Sequence, residues 1–122
     1  MSSTPPSHLL RFDADTLGVP DESAPAPEKI VAGDPRHLTW NVESLFDDTL
    51  FAGIWQSTPG AWRVDYEEWE FCSLLEGVSV LHEDGKPPVR LEAGDSFTLR
   101  PGFKGVWEVV ETTRKLYVIR LT

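Results

Sequence analysis

Short turn signals recur along the chain from position 58: Thr58-Pro59-Gly60, Glu76-Gly77, Asp84-Gly85, Ala93-Gly94-Asp95 and Pro101-Gly102. No helical period of useful length competes with them, so the punctuation reads as an all-β domain. Candidate strands are Leu38–Glu43, Leu50–Gln56, Ala61–Tyr66, Glu68–Glu76, Val78–Glu83, Val89–Leu91, Ser96–Leu99, Gly105–Val110 and Lys115–Leu121. In the strand 68–76, period two puts Trp69, Phe71, Ser73 and Leu75 on one face and Glu68, Glu70, Cys72, Leu74 and Glu76 on the other. Both faces carry apolar side chains. Such a strand belongs in a closed sandwich or barrel, one face lining a lumen and the other packing on a second sheet or subunit.

The first part of the chain reads differently. Positions 1–35 hold six of the ten prolines and one aromatic residue, Phe12. Proline restricts itself and the residue before it to extended geometry, so residues 1–37 are expected as an extended arm, lying as an irregular strand over the surface or staying loose. The apolar patches Leu9–Phe12 and Lys29–Val31 suit docking on the chain's own barrel or on a partner subunit. Residues 38–122 then form the single barrel domain, whose 122-residue chain is long enough to fold without disulfides or a structural metal.

Charge and cysteine content exclude several functions. Eleven Lys and Arg stand against 20 Asp and Glu, a formal net charge of -9, with no basic run to track a phosphate backbone, so no nucleic-acid partner is expected. One cysteine makes neither an internal disulfide nor a four-cysteine zinc site. The opening segment has no basic-then-apolar layout of a secretory signal, and no stretch has the apolar length of a membrane span. A cytoplasmic protein without membrane contact is the expectation.

The runs Gly53–Gly77 (GIWQSTPGAWRVDYEEWEFCSLLEG) and Leu91–Ile119 (LEAGDSFTLRPGFKGVWEVVETTRKLYVI) resemble the cupin superfamily, and within it the small cupins named for the (S)-ureidoglycine aminohydrolase cupin domain. The resemblance implies a double-stranded β-helix, or jelly-roll, barrel. Cupins carry two motifs, G-x5-H-x-H-x3,4-E-x6-G and G-x5-P-x-G-x2-H-x3-N, whose three histidines and one glutamate hold a divalent metal. Glu70 and Gly77 satisfy the end of the first motif. The histidine pair is replaced by Val64 and Tyr66, or by Arg63 and Asp65 with the longer spacer. In the second motif Gly94 and Gly102 are in register, Pro101 is one place late, and the histidine position falls on Gly105. His8, His37 and His82 are scattered. Imidazoles supply the nitrogen donors that bind transition metals, so neither a metal nor another cofactor is expected here, and the metal-dependent aminohydrolase activity does not carry over with the fold.

In the cupin register, alternation carries Tyr66, Glu70, Cys72 and Trp107 into the lumen, with either Lys115 and Tyr117 or Leu116 and Val118 from the last strand; the first pair is favoured. Glu70 then touches a ligand or moves a proton, or else forms a salt bridge to Lys115 or Arg114 that pins two strands. Cys72 has no histidine placed as its base and reads as a buried inert thiol near the ligand. Tyr66 and Lys115 join Glu70 as candidate acid/base groups, Trp107 fills the volume a metal would take, and Tyr117 adds a second phenol. Trp55, Trp62 and Trp69, with Trp40, are expected to form an outer platform at the interface of a homodimer.

Three functions follow from these residues. The first is a metal-independent cupin that binds a small polar metabolite. The second is an acid/base enzyme using Glu70 with Tyr66 or Lys115 on a ureido, amide or carbohydrate-like substrate. The third is a filled barrel that serves only for dimerisation.

Overall fold

A computed structural model describes residues 7–122; the first six residues of the expected arm lie outside them. The strands are β1 (Asp21–Ser23), β2 (Ile30–Gly33), β3 (His37–Leu45), β4 (Leu50–Ser57), β5 (Gly60–Asp65), β6 (Trp69–Glu83), β7 (Val89–Glu92), β8 (Ser96–Leu99) and β9 (Lys104–Arg120). Among the described residues the sole helical element is a 3-10 turn at Pro27–Lys29, and no helix is long and apolar enough to cross a membrane.

The two longest strands organise the molecule. β9 pairs with β4 through its C-terminal half, with β5 through its N-terminal half, and with β6 along nearly all its length. β6 in turn carries β8 on its first half and β7 on its second. The result is a jelly roll: β1, β3, β4 and β8 flank one half of the β6–β9 ribbon, while β2, β5 and β7 flank the other.

The ribbon turns from one half to the other at a run of register shifts between Leu74 and Ser79. Gly77 sits there with φ 87°, and a Cβ on it would fall on the carbonyl oxygen of Thr112. The glycine therefore permits a bulge and a close strand approach, not a turn between two strands. The expected strands 68–76 and 78–83 are accordingly one element, as are 105–110 and 115–121.

Part of the N-terminal segment joins the sheet. β1 lies antiparallel on β3, β2 lies antiparallel on β5, and Trp40 Nε1 donates to the carbonyl of Gly18 at 3.2 Å. Lys29 closes the 3-10 turn and Ile30 and Val31 start β2, whereas Leu9 and Leu10 are exposed. The core between the two halves is built on Trp62, Cys72, Leu74, Leu81, Leu99 and Trp107.

Candidate functional site

Side chains directly opposite one another in paired strands share a face of the sheet. β4 and β9 set Trp55 against Lys115, and β5 and β9 set Trp62 against Trp107. β6 and β9 set Cys72 against Tyr117, and Gly53 of β4 faces Tyr117 on its other side. All of these point into the barrel. A cavity of about 490 Å³ opens there, lined among others by His37, Trp55, Tyr66, Glu70, Lys115 and Tyr117. A lumen of that size admits a ligand of several atoms.

The six residues singled out from the sequence come together. Tyr66, Glu70, Trp107, Lys115 and Tyr117 line the cavity, and Cys72 lies behind it in contact with Lys115. The favoured pair, Lys115 with Tyr117, is the one that faces inward. Two expectations need correction. Trp55 and Trp62 are not part of an outer platform: both line the lumen. Trp40 does lie off the lumen, but it is buried, beneath Arg114, whose guanidinium sits 5.2 Å from its ring centroid.

At the centre is an ion pair. Lys115 Nζ donates to Glu70 Oε2 at 2.9 Å, the two residues being 4% and 2% exposed. The ammonium lies 4.6 Å from the Trp55 ring centroid and 4.4 Å from that of Trp107, so two indole faces share its charge. Burial by itself would push the ammonium down; Cys72 and Glu70 outweigh it and hold Lys115 above the ordinary lysine range. Burial pushes the Cys72 thiol up to about 12, which keeps it protonated, so the counter-charge of Lys115 is the Glu70 carboxylate.

The two phenols on the lining are neutral. Burial, then Glu70, raises the Tyr66 phenol well above its ordinary value, and the same two causes push Tyr117 up to about 12. The Tyr117 hydroxyl donates to Asn41 Oδ1 at 2.7 Å. Gly53 makes room for it, because a Cβ there would stand 2.7 Å from that hydroxyl. Trp107 Nε1 donates to Ser79 Oγ at 3.1 Å, and Ser79 bonds Thr113 at 2.8 Å, which fixes the indole under the ammonium.

His37 is one of the lumen residues that sequence reasoning missed. Its ring sits 5.0 Å from Trp55 and 4.8 Å from Trp62, and burial followed by the charge of Lys115 pushes it down to about 4. The imidazole is therefore neutral at pH 7. Its signal in the sequence is the alternation His37, Thr39, Asn41 at the start of β3, which places all three in the cavity wall.

The donors present do not fit the divalent metal of the cupin motifs. Glu70 is taken up by an ammonium, which would repel a second cation beside it. The third histidine position is Gly105, where a Cβ would fall on the carbonyl oxygen of His82, so the backbone leaves no room for a side chain. Among the described residues no group of three or more His, Cys, Asp or Glu gathers to hold a metal ion.

The jelly-roll barrel is a cupin. More narrowly, the chain belongs to the EutQ-like cupin domain family, whose pattern matches residues 45–117. It is similar to a solved protein of unknown function of the DUF861 family from Pseudomonas syringae pv. tomato str. DC3000, with 27% identity and a TM-score of 0.70 over 82% of this chain. The chain spans 43% of that protein's length. EutQ of Clostridium difficile is 17% identical with a TM-score of 0.61, covering 70% of this chain and 63% of that one. A predicted oxalate decarboxylase from Thermotoga maritima is 18% identical with a TM-score of 0.67, covering 93% and 100%. The last two likenesses show the fold alone. No curated protein matches the chain.

Proposed function

We propose that this chain is a metal-independent cupin that binds a small polar metabolite in its lumen. The observation that carries the reading is the Lys115–Glu70 pair, buried at one side of an open cavity and bracketed by Trp55 and Trp107. A cationic donor and an anionic acceptor side by side complement a ligand that carries a carbonyl or hydroxyl oxygen next to an N–H or O–H group. The indoles, the neutral imidazole and the phenols supply flat walls and further hydrogen bonds. The ammonium of Lys115 provides within the chain the positive charge that a cupin metal would bring. The open volume of the cavity counts against a barrel packed shut for dimerisation.

A second reading is acid/base catalysis on a ureido, amide or carbohydrate-like substrate. It is favoured by Tyr66 standing beside Glu70: the phenol would donate a proton, the carboxylate would accept one, and Lys115 would polarise a carbonyl. The metal-dependent aminohydrolase route suggested by the branch resemblance has no donor set to support it.

The test is a thermal-shift screen of small amides, ureides, polyols and hydroxy acids against the wild type and the Glu70→Gln/Lys115→Met double variant. The reading expects stabilisation of the wild type by one chemical class and none of the variant. Shifts that are equal in both proteins, or absent for every class, overturn it. Turnover of a bound compound by the wild type, lost in Tyr66→Phe, selects the enzymatic reading.

A further inference from the structure

The barrel has a second cleft, whose lining runs from Leu81 to Phe103. Among the described residues β7 and β8 each pair with β6 alone, so each leaves one edge unpaired there, and the two strands lie on opposite halves of the roll. Between them opens a cleft of about 900 Å³. Its floor is apolar: Leu81, Leu91 and Leu99 are buried there, and Phe97 and Phe103 pack against the same core. Val89, 54% exposed, forms part of the wall. The Phe97 ring lies 6.1 Å from Trp107, so this ring separates the cleft from the lumen.

Charge decides what such a cleft would take. In a chain of net charge -9, two cations, Lys86 and Arg100, line this cleft, and neither forms an ion pair among the described residues. Glu83 is the one acidic side chain on the lining. Lys86 stands at the Glu83–Lys86 turn and Arg100 at the Arg100–Phe103 turn, each closed by a backbone hydrogen bond, so both cations are carried at turns flanking the apolar floor. An extended peptide adding to a free strand edge is disfavoured, because Pro87 and Pro88 precede β7 and Arg100 and Pro101 follow β8.

We infer that this cleft is a binding site for an aliphatic carboxylate, its chain on the floor of Leu81, Leu91, Phe97 and Leu99 and its carboxylate at Lys86 and Arg100. Apolar area supplies the attraction and the two cations fix the orientation. The site is separate from the lumen, with Trp107 in contact range of its wall as an optical reporter.

Submicellar decanoate is the probe, titrated by calorimetry and by tryptophan fluorescence into the full chain. One decanoate binds per chain, more weakly at higher salt, and decyltrimethylammonium does not bind. Lys86→Gln/Arg100→Gln weakens decanoate by about tenfold or more. Val89→Glu, at an exposed wall position, abolishes binding, and unchanged melting shows that both variants fold. No decanoate binding, equal binding of the cationic analogue, or decanoate affinity indifferent to both variants overturns the assignment. So does competition by an acidic extended peptide that itself binds more tightly than decanoate.

Discussion

Replacing Lys115 by methionine keeps the volume of the side chain and removes the charge that balances Glu70. Among the described residues Lys115 is the one cation paired with that carboxylate. Breaking one side of a buried ion pair costs about 3–5 kcal/mol. The lost ammonium–indole contacts, at 4.6 and 4.4 Å, belong to the same penalty. A stranded buried carboxylate escapes by taking up a proton, which at pH 7 costs about 4 kcal/mol for an ordinary glutamate, so the penalty has a ceiling there. In a domain of this size that corresponds to a fall in Tm of roughly 15 °C. The ceiling drops as the pH approaches the carboxylate range, so the deficit of Lys115→Met shrinks in acid. The double variant Glu70→Gln/Lys115→Met replaces both charges and loses no more than about 1 kcal/mol. Urea denaturation of the four proteins of the cycle at pH 7 and pH 5 measures these terms. Single variants that each cost less than about 1 kcal/mol, or a double variant whose cost equals the sum of the singles, would refute the reasoning.

The remaining predictions concern neighbouring groups. His37 has a folded-state value of about 4, below its unfolded 6.5, so the unfolded chain binds more protons between the two; stability falls as the pH drops through that window, and His37→Phe flattens the dependence. Lys115 is displaced the other way: its contribution is complete below the ordinary lysine value and is lost as the pH rises through the raised folded one, a loss that Glu70→Gln/Lys115→Met does not show. The Cys72 thiol, pushed up to about 12 and wholly buried, stays unmodified by iodoacetamide at pH 8 in the native protein and reacts fully in urea. Gly77→Ala forces a Cβ onto the Thr112 carbonyl at a positive φ and lowers stability by about 2 kcal/mol or more, read by urea denaturation.

Much of the barrel was legible because turn residues punctuate it and period two gives each strand two faces. Tyr66, Glu70, Cys72 and Trp107 were placed inside by that alternation once the resemblance to the two cupin motifs set the register through Glu70, Gly77, Gly94 and Gly102, which left Lys115 with Tyr117 as the favoured of two pairs. Gly77 misled on strand count: a positive-φ glycine serves a turn and a bulge equally well, and only the pairing of β6 with β9 shows that the chain continues straight through. Trp55 and Trp62 were misassigned for a related reason. Alternation within β4 and β5 gives two faces without saying which is the lumen; that follows from their partners, Lys115 and Trp107, which lie more than forty residues away. The short strands β1 and β2 carry no alternating pattern of their own and exist because β3 and β5 offer free edges. His37 was obscured by its place next to that segment.

The central claim, that a built-in ammonium has displaced metal from the barrel, is tested most directly by elemental analysis of the purified, tag-free protein with a parallel thermal-shift titration of Mn, Fe(II), Ni and Zn. The account predicts no stoichiometric metal and a melting temperature indifferent to all four ions in the wild type. Near-stoichiometric metal, or a large stabilising shift that is lost in Glu70→Gln, would contradict it.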